Sequence, residues 1–318
     1  RRACGVSVGA GMKQGSARHR RTARTVGAAI LLAVMTGGPV IGWCQDRMAV
    51  GVSILPQESF VELIGGERVT VDVVVLPGRS PATYEPTPKQ VARLAATTVY
   101  ISIGVAFEAA LLPRMRTLAP DLEVVDGTLG IERIPMATDH GNGAGADDDA
   151  RSHAHGGLDP HFWLDPSLVA EHLNTICDTL CRSAPQHCDE FRGNLARTTT
   201  QLETVDRRVA ATLAPLAGRA LFVFHPAYGY FARRYGLRQV AVEVEGKEPT
   251  ARQLVALIDA ARAARVRAVF VQPQFSGGSA RALAEAIGVD LVELDPLAPD
   301  PIANLERRAA AIAAAYGG

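Results

Sequence analysis

Three side chains in this sequence combine metal-binding chemistry with a shared place in a repeating pattern. His161 sits in Asp159-Pro160-His161-Phe162-Trp163-Leu164-Asp165-Pro166, a Pro-flanked turn that leads into a helix beginning at Ser167. His225 follows the short apolar run 221–224, and Asp295 follows the run 290–294. In parallel α/β sheets, ligands gather at the carboxyl ends of strands. Two imidazoles and a carboxylate delivered from separate loops would there hold a divalent cation. Imidazole suits zinc and neighbouring transition metals, and a carboxylate adds charge neutralisation. Each residue also has a structural reading: His161 as the cap of the Ser167 helix, His225 as a loop histidine before Pro226, Asp295 as an Asp-Pro turn. Their common topological position favours the joint reading. Glu245 and Gln272 occupy equivalent positions after the runs 240–244 and 268–271.

Other chemistries leave no mark. The sequence has no Gly-rich loop ending in Lys-Ser/Thr and no His-Glu-x-x-His, and beyond residues 1–45 no Gly-x-Ser-x-Gly. Ser53, Ser59 and Ser80 have no visible base partner. The tract 139–157 carries His140, Asp147, Asp148, Asp149, His153 and His155 among Gly and Ala. It reads as a disordered loop that either collects divalent cations or is merely solvated.

The elements that must position these residues follow from periodicity. Strands are expected at 48–55, 69–76, 99–103 and 122–126, with helices at 57–64, after Thr87, at 108–116 and at 167–181. The pattern then repeats, with strands at 220–224, 239–244, 268–271 and 290–294 and helices at 228–235, 250–264, 279–287 and 301–316. Thr87-Pro88-Lys89-Gln90 and Thr250-Ala251-Arg252-Gln253 are capping boxes. Short apolar strands alternating with helices imply parallel sheets covered on both faces. Between the halves, Phe191, Leu195, Leu202, Val205, Val209 and Leu213 recur at helical spacing. A helix over 186–213 would be about 42 Å long. The fold class is therefore α/β: two parallel-sheet βα lobes, 46–184 and 218–318, joined by one long rigid helix within 185–217.

The chain has 318 residues, enough for about two domains. Lys+Arg and Asp+Glu are both 33, but seven of the basic residues and none of the acids lie in residues 1–45. The remainder carries 26 basic and 33 acidic residues, a balance of −7. Such a body lacks the basic footprint of a nucleic-acid binder and suits a cationic ligand. Residues 1–45, with Met12 as the expected initiator, read as a secretory leader: a basic stretch to Arg24, then an apolar run over 26–35. The mature protein is expected to be periplasmic or otherwise extracytoplasmic. Ile41-Gly42-Trp43-Cys44 resembles a lipoprotein box, with bulky Trp43 where a small residue belongs. Of the later cysteines, Cys181 and Cys188 flank the Pro185 turn, where a bridge could close a short loop, and Cys177 lies one helical turn before Cys181.

The stretches PGRSPATYEPTPKQ (77–90), IGVAFEAALLPR (103–114), DPHFWLDP (159–166), HPAYGYFARRYGL (225–237), VEGKEPTARQL (244–254), VQPQFS (271–276) and DPLAPD (295–300) resemble the zinc/manganese-type solute-binding proteins of bacterial ABC importers. The resemblance implies two α/β lobes on one long helix and a metal held by one residue from each of four loops. By motif three of these are His161, His225 and Asp295. The first ligand, normally a histidine after the second strand, is here Ala82, which leaves the fourth position to water or to Tyr84 or Glu85. The implied function is an exported, monomeric protein that captures Zn²⁺, with Mn²⁺ as the alternative, and delivers it to an ABC permease. A zinc hydrolase with a three-ligand open site, using Glu245 or Glu248 as base, and a surface adhesin with incidental metal are the competing readings.

Overall fold

Runs of β-branched and aromatic residues build two small sheets, buried at their central strands and partly open at their edges. The structure is a computed structural model describing residues 47–136, 157–243 and 247–317. The expected leader, Cys44, residues 139–156 of the His/Asp-rich tract and Glu245 lie outside the described residues. The first sheet comprises β1 (Met48–Val52), β2 (Val69–Val73), β3 (Val99–Ser102) and β4 (Glu123–Asp126), in the order β2-β1-β3-β4. The second comprises β5 (Ala220–Val223), β6 (Arg238–Ala241), β7 (Ala268–Val271) and β8 (Asp290–Glu293), in the order β6-β5-β7-β8. Every pairing is parallel; Val50 lies opposite Val71 and Val99, and Phe222 opposite Val240 and Val269. The same order in both lobes bears out the internal repeat. In each sheet the chain steps first to one side and then to the other of its first strand. That reversal opens a crevice at the carboxyl ends of β1 and β3, and of β5 and β7.

The first lobe contributes helices α1 (Leu55–Gly65), α2 (Pro88–Leu94), α3 (Glu108–Leu118) and α4 (Pro166–Ser183). The second contributes α6 (Gly229–Arg234), α7 (Ala251–Ala263), α8 (Gly278–Ile287) and α9 (Pro301–Gly317). Between them α5 (Cys188–Leu213) runs unbroken for 26 residues, about 39 Å. The expected linking helix is thus present, starting two residues later than its periodicity suggested because Pro185–His187 forms a separate 3₁₀ turn. Phe191, Leu202, Val205, Val209 and Leu213 are all buried. Asn194 on α5 donates to the Ile64 carbonyl at 2.7 Å, and Asp206 on α5 holds Arg234 and, at 2.8 Å, the Tyr235 hydroxyl. Both lobes are therefore fastened to one helix by polar contacts as well as packing. One apolar core runs from the first sheet through α4, α5 and α6 to α9, and a second lies between the second sheet and α7 and α8.

Both capping boxes form, with Thr87 and Thr250 accepting from the backbone of Gln90 and Gln253. The helix after the Pro-flanked turn is capped by Asp165, which accepts from Ser167 N at 2.9 Å, and not by His161. His161 is thereby free of a capping role. Cys181 and Cys188 form a disulfide across the Pro185 turn, and Cys177 is a free, buried thiol. Among the described residues no helix is long and apolar enough to cross a membrane.

Candidate metal centre

His161 enters the crevice from the first lobe on a one-turn 3₁₀ helix, Phe162–Leu164, whose side chains are buried. Its backbone and ring are fixed by one carboxylate. Asp159 Oδ1 accepts from His161 N at 2.8 Å and from His161 Nδ1 at 2.7 Å. Asp159 is wholly buried, and its Oδ2 rests on Gly229 of the second lobe, where a Cβ would come within 2.7 Å. Glycine is required at that position by the close approach. Burial pushes the His161 imidazole below its usual pKa, against the opposing pull of Asp159.

His225 enters from the second lobe just past β5. Gln272, just past β7, clamps its backbone from both sides: His225 N donates to Gln272 Oε1 at 3.1 Å, and Gln272 Nε2 donates to the His225 carbonyl at 2.7 Å. The ring Nδ1 pairs with Glu243 Oε1 at 2.7 Å, and Glu243 is only 4% exposed. Phe275 stacks on the imidazole with centroids 5.0 Å apart. A carboxylate can only accept, so Nδ1 of each histidine is the protonated nitrogen. Each Nε2 then keeps its lone pair, the form that ligates a transition metal. The two imidazoles, one per lobe, lie 5.2 Å apart at 75°.

Both histidines line one cavity of about 410 Å³ whose wall also includes Ala82, Arg133, Trp163 and Phe275. Tyr84 and Glu85 are not among its lining residues. Tyr84 instead packs on Phe107, and its hydroxyl accepts from Gln90 Nε2 at 2.8 Å.

Asp295 does not line this cavity, although Gln274, Pro296 and Leu297 beside it do. It lines a smaller neighbouring cavity, and its Oδ1 accepts from Gln274 Nε2 at 2.7 Å and Leu297 N at 2.9 Å. Among the described residues no group of three or more His, Cys, Asp and Glu side chains is arranged to hold a metal ion. The turn after Asp295 is nonetheless firmly built. Tyr228 donates to the Leu294 carbonyl at 2.7 Å and Asn304 to the Asp295 carbonyl at 2.7 Å. From the other lobe, Trp163 Nε1 donates to the Pro296 carbonyl at 2.9 Å.

Sequence reasoning singled out His161, His225 and Gln272 but missed the orienting roles of Asp159 and Glu243. For Asp159 the signal was present in the Asp-Pro-His spacing.

The family model described as "ZnuA: Zinc-uptake complex component A periplasmic" matches residues 50–315. The chain belongs to this family. A curated ZnuA-family relative, the high-affinity zinc uptake system protein ZnuA of Yersinia pestis, is 28% identical over 263 residues, covering 78% of this chain and 83% of that protein. A crystal structure of ZnuA is 39% identical, covers 85% of this chain and 99% of its own, and superposes with a TM-score of 0.77. The solute-binding protein FpvC from Pseudomonas aeruginosa, solved in complex with Mn²⁺, shares the fold at 24% identity, 86% and 100% coverage and a TM-score of 0.72. The ZnuA-type fold is thus the two-lobed, helix-linked architecture described above.

Proposed function

We propose that this chain is the exported zinc-capturing component of an ABC importer, taking Zn²⁺ between its lobes through Nε2 of His161 and His225. The observation that carries the reading is the apposition of these two imidazoles across the lobes, each turned by its own buried carboxylate to present an unprotonated nitrogen. Membership of the zinc-uptake family supports it, and an ATP-driven permease in the membrane is the partner that such a component requires. Asp295 is proposed as the third donor. Because its Oδ1 is already engaged twice, coordination uses Oδ2 or a shift of the turn that releases Gln274. A hydrolase would need a carboxylate free to act as base. The two carboxylates nearest the histidines are instead bonded to the imidazoles, an orienting role.

Competition titration of Zn²⁺ against a chromophoric chelator tests the site. His161→Ala and His225→Ala should each weaken binding by about two orders of magnitude, because the ion loses one of its three protein donors. Wild-type affinity in both variants would mean that zinc is held elsewhere.

A further inference from the structure

The cavity is much larger than an ion. At a water's liquid share of about 30 Å³, its 410 Å³ is room for on the order of a dozen waters. It also presents a cation that a bare Zn²⁺ would repel. Arg133 lines the wall beside the two histidines, and among the described residues no carboxylate pairs with it. Its Nε is buried with no hydrogen-bond acceptor; Nη2 makes a long contact, 3.4 Å, to the Leu158 carbonyl, and the guanidinium's other neighbour is the Tyr230 hydroxyl, a neutral group. Arg133 is placed deliberately: its guanidinium lies against Gly104, where a Cβ would come within 2.4 Å of Nη1. Gly104 has a φ of +78°, a conformation that favours glycine. The loop carrying Gly104 is pinned from beneath by the buried carboxylate of Glu108, which accepts from Ile103 N at 2.9 Å and Gly104 N at 2.6 Å. A guanidinium with an unmet donor in a largely apolar pocket calls for an anion.

A third feature points the same way. Ala82 shares this wall with the histidines and can donate nothing to a metal. Zinc therefore meets two imidazoles and at most one carboxylate, one donor short of a closed tetrahedral site. We propose that this chain captures its metal as a one-to-one complex with a small chelating carboxylate, an α-amino or α-hydroxy acid. The chelator's donors fill the position that Ala82 leaves open, and a carboxylate oxygen of the chelator pairs with Arg133. The inference rests on the zinc-capture reading above and specifies its substrate class.

The test is equilibrium dialysis of the full, metal-free chain against radiolabelled citrate or L-histidine, each with and without Zn²⁺. One chelator should be retained per chain, and only when zinc is present; which of the two is held identifies the class of acid. Arg133→Gln should lower chelator retention about tenfold, the effect of losing one charge-assisted bond. Arg133→Lys, which keeps the cation, should retain it. Ala82→His should tighten binding of bare Zn²⁺ and displace the chelator. Zinc retained while both chelators stay outside, or retention indifferent to Arg133→Gln, would overturn the proposal. If wild type and His225→Ala alike hold no zinc in any form, it is the metal site itself that fails.

Discussion

Trp163 and Pro296 are joined across the two lobes: the indole Nε1 of the first donates to the carbonyl of the second at 2.9 Å. Trp163 also lies against His161, with ring centroids 5.0 Å apart, and Pro296 follows Asp295 directly. One hydrogen bond therefore couples the histidine turn of the first lobe to the acidic turn of the second. Trp163→Phe should keep the ring packing and leave the Pro296 carbonyl without a partner, a cost of about 1–3 kcal/mol to the closed form. The expected result is zinc release accelerated about tenfold, with the association rate little changed. Stopped-flow mixing of the loaded protein with excess chelator measures it; an unchanged release rate would show that this bond does not hold the lobes together.

Glu243 sets the His225 tautomer from 2.7 Å away. Glu243→Gln keeps size and shape but no longer demands a proton on Nδ1, so Nε2 is no longer reserved for metal. Zinc affinity should fall about 10- to 100-fold, the usual cost of removing a carboxylate behind a ligating histidine. If Glu243 acts only through His225, the same change made in His225→Ala should cost almost nothing further. Equal losses in both backgrounds would mean that Glu243 contributes by some other route.

The architecture was legible because its signals are local. Capping boxes, β-branched runs and the spacing of apolar residues along α5 are set within a few turns of chain. The site was legible only in part. His161 and His225 are marked by flanking prolines and by their place after strands. Glu243 was hidden because Val240-Ala241-Val242-Glu243-Val244 alternates without a stop, so the strand seemed to run to 244 and put Glu245 at its end. The strand itself ends at Ala241; Val242 N and Glu243 N still donate to the Val223 and Phe224 carbonyls, which places Glu243, not Glu245, just past the strand end beside His225. Asp295 was expected beside the histidines. Its engagement with Gln274 and Leu297 depends on packing between loops far apart in sequence, which no spacing records.

The Cys181–Cys188 bridge closes a loop with a sequence separation of only 7. Loop-closure entropy for so short a ring gives about 2.5 kcal/mol of stabilisation. Urea unfolding with and without reductant should differ by about that amount. Zinc affinity should be unaffected, since the bridge joins α4 to α5 at the turn between them, away from the crevice. Loss of metal binding on reduction would mean that the α4–α5 turn governs the lobe geometry.

His172 provides a pH test independent of the metal. It lies on the buried face of α4, wholly enclosed between Phe60 and Phe162, with Nδ1 bonded to the Gly127 carbonyl at 2.7 Å and Nε2 without a partner. Burial lowers its pKa from 6.5 to about 4, outweighing the Gly127 carbonyl and the nearby Asp126 carboxylate, both of which favour the charged ring. The unfolded chain therefore takes up a proton near pH 6.5 that the folded protein refuses until about pH 4. Stability contributed by the neutral ring is present above pH 6.5 and is lost as the pH falls toward 4. Between pH 7 and pH 5 the loss from this one residue is about 2 kcal/mol. His172→Asn keeps a donor near the position of Nδ1 and cannot titrate, so its stability should fall less over that range by the same amount. His161, also held down by burial, adds its share to both proteins, so the difference between them isolates His172. Urea unfolding of the metal-free proteins at pH 7 and pH 5 checks it. Parallel losses in the two proteins would show that His172 already titrates normally in the folded state, and hence that the α4 face is open to water.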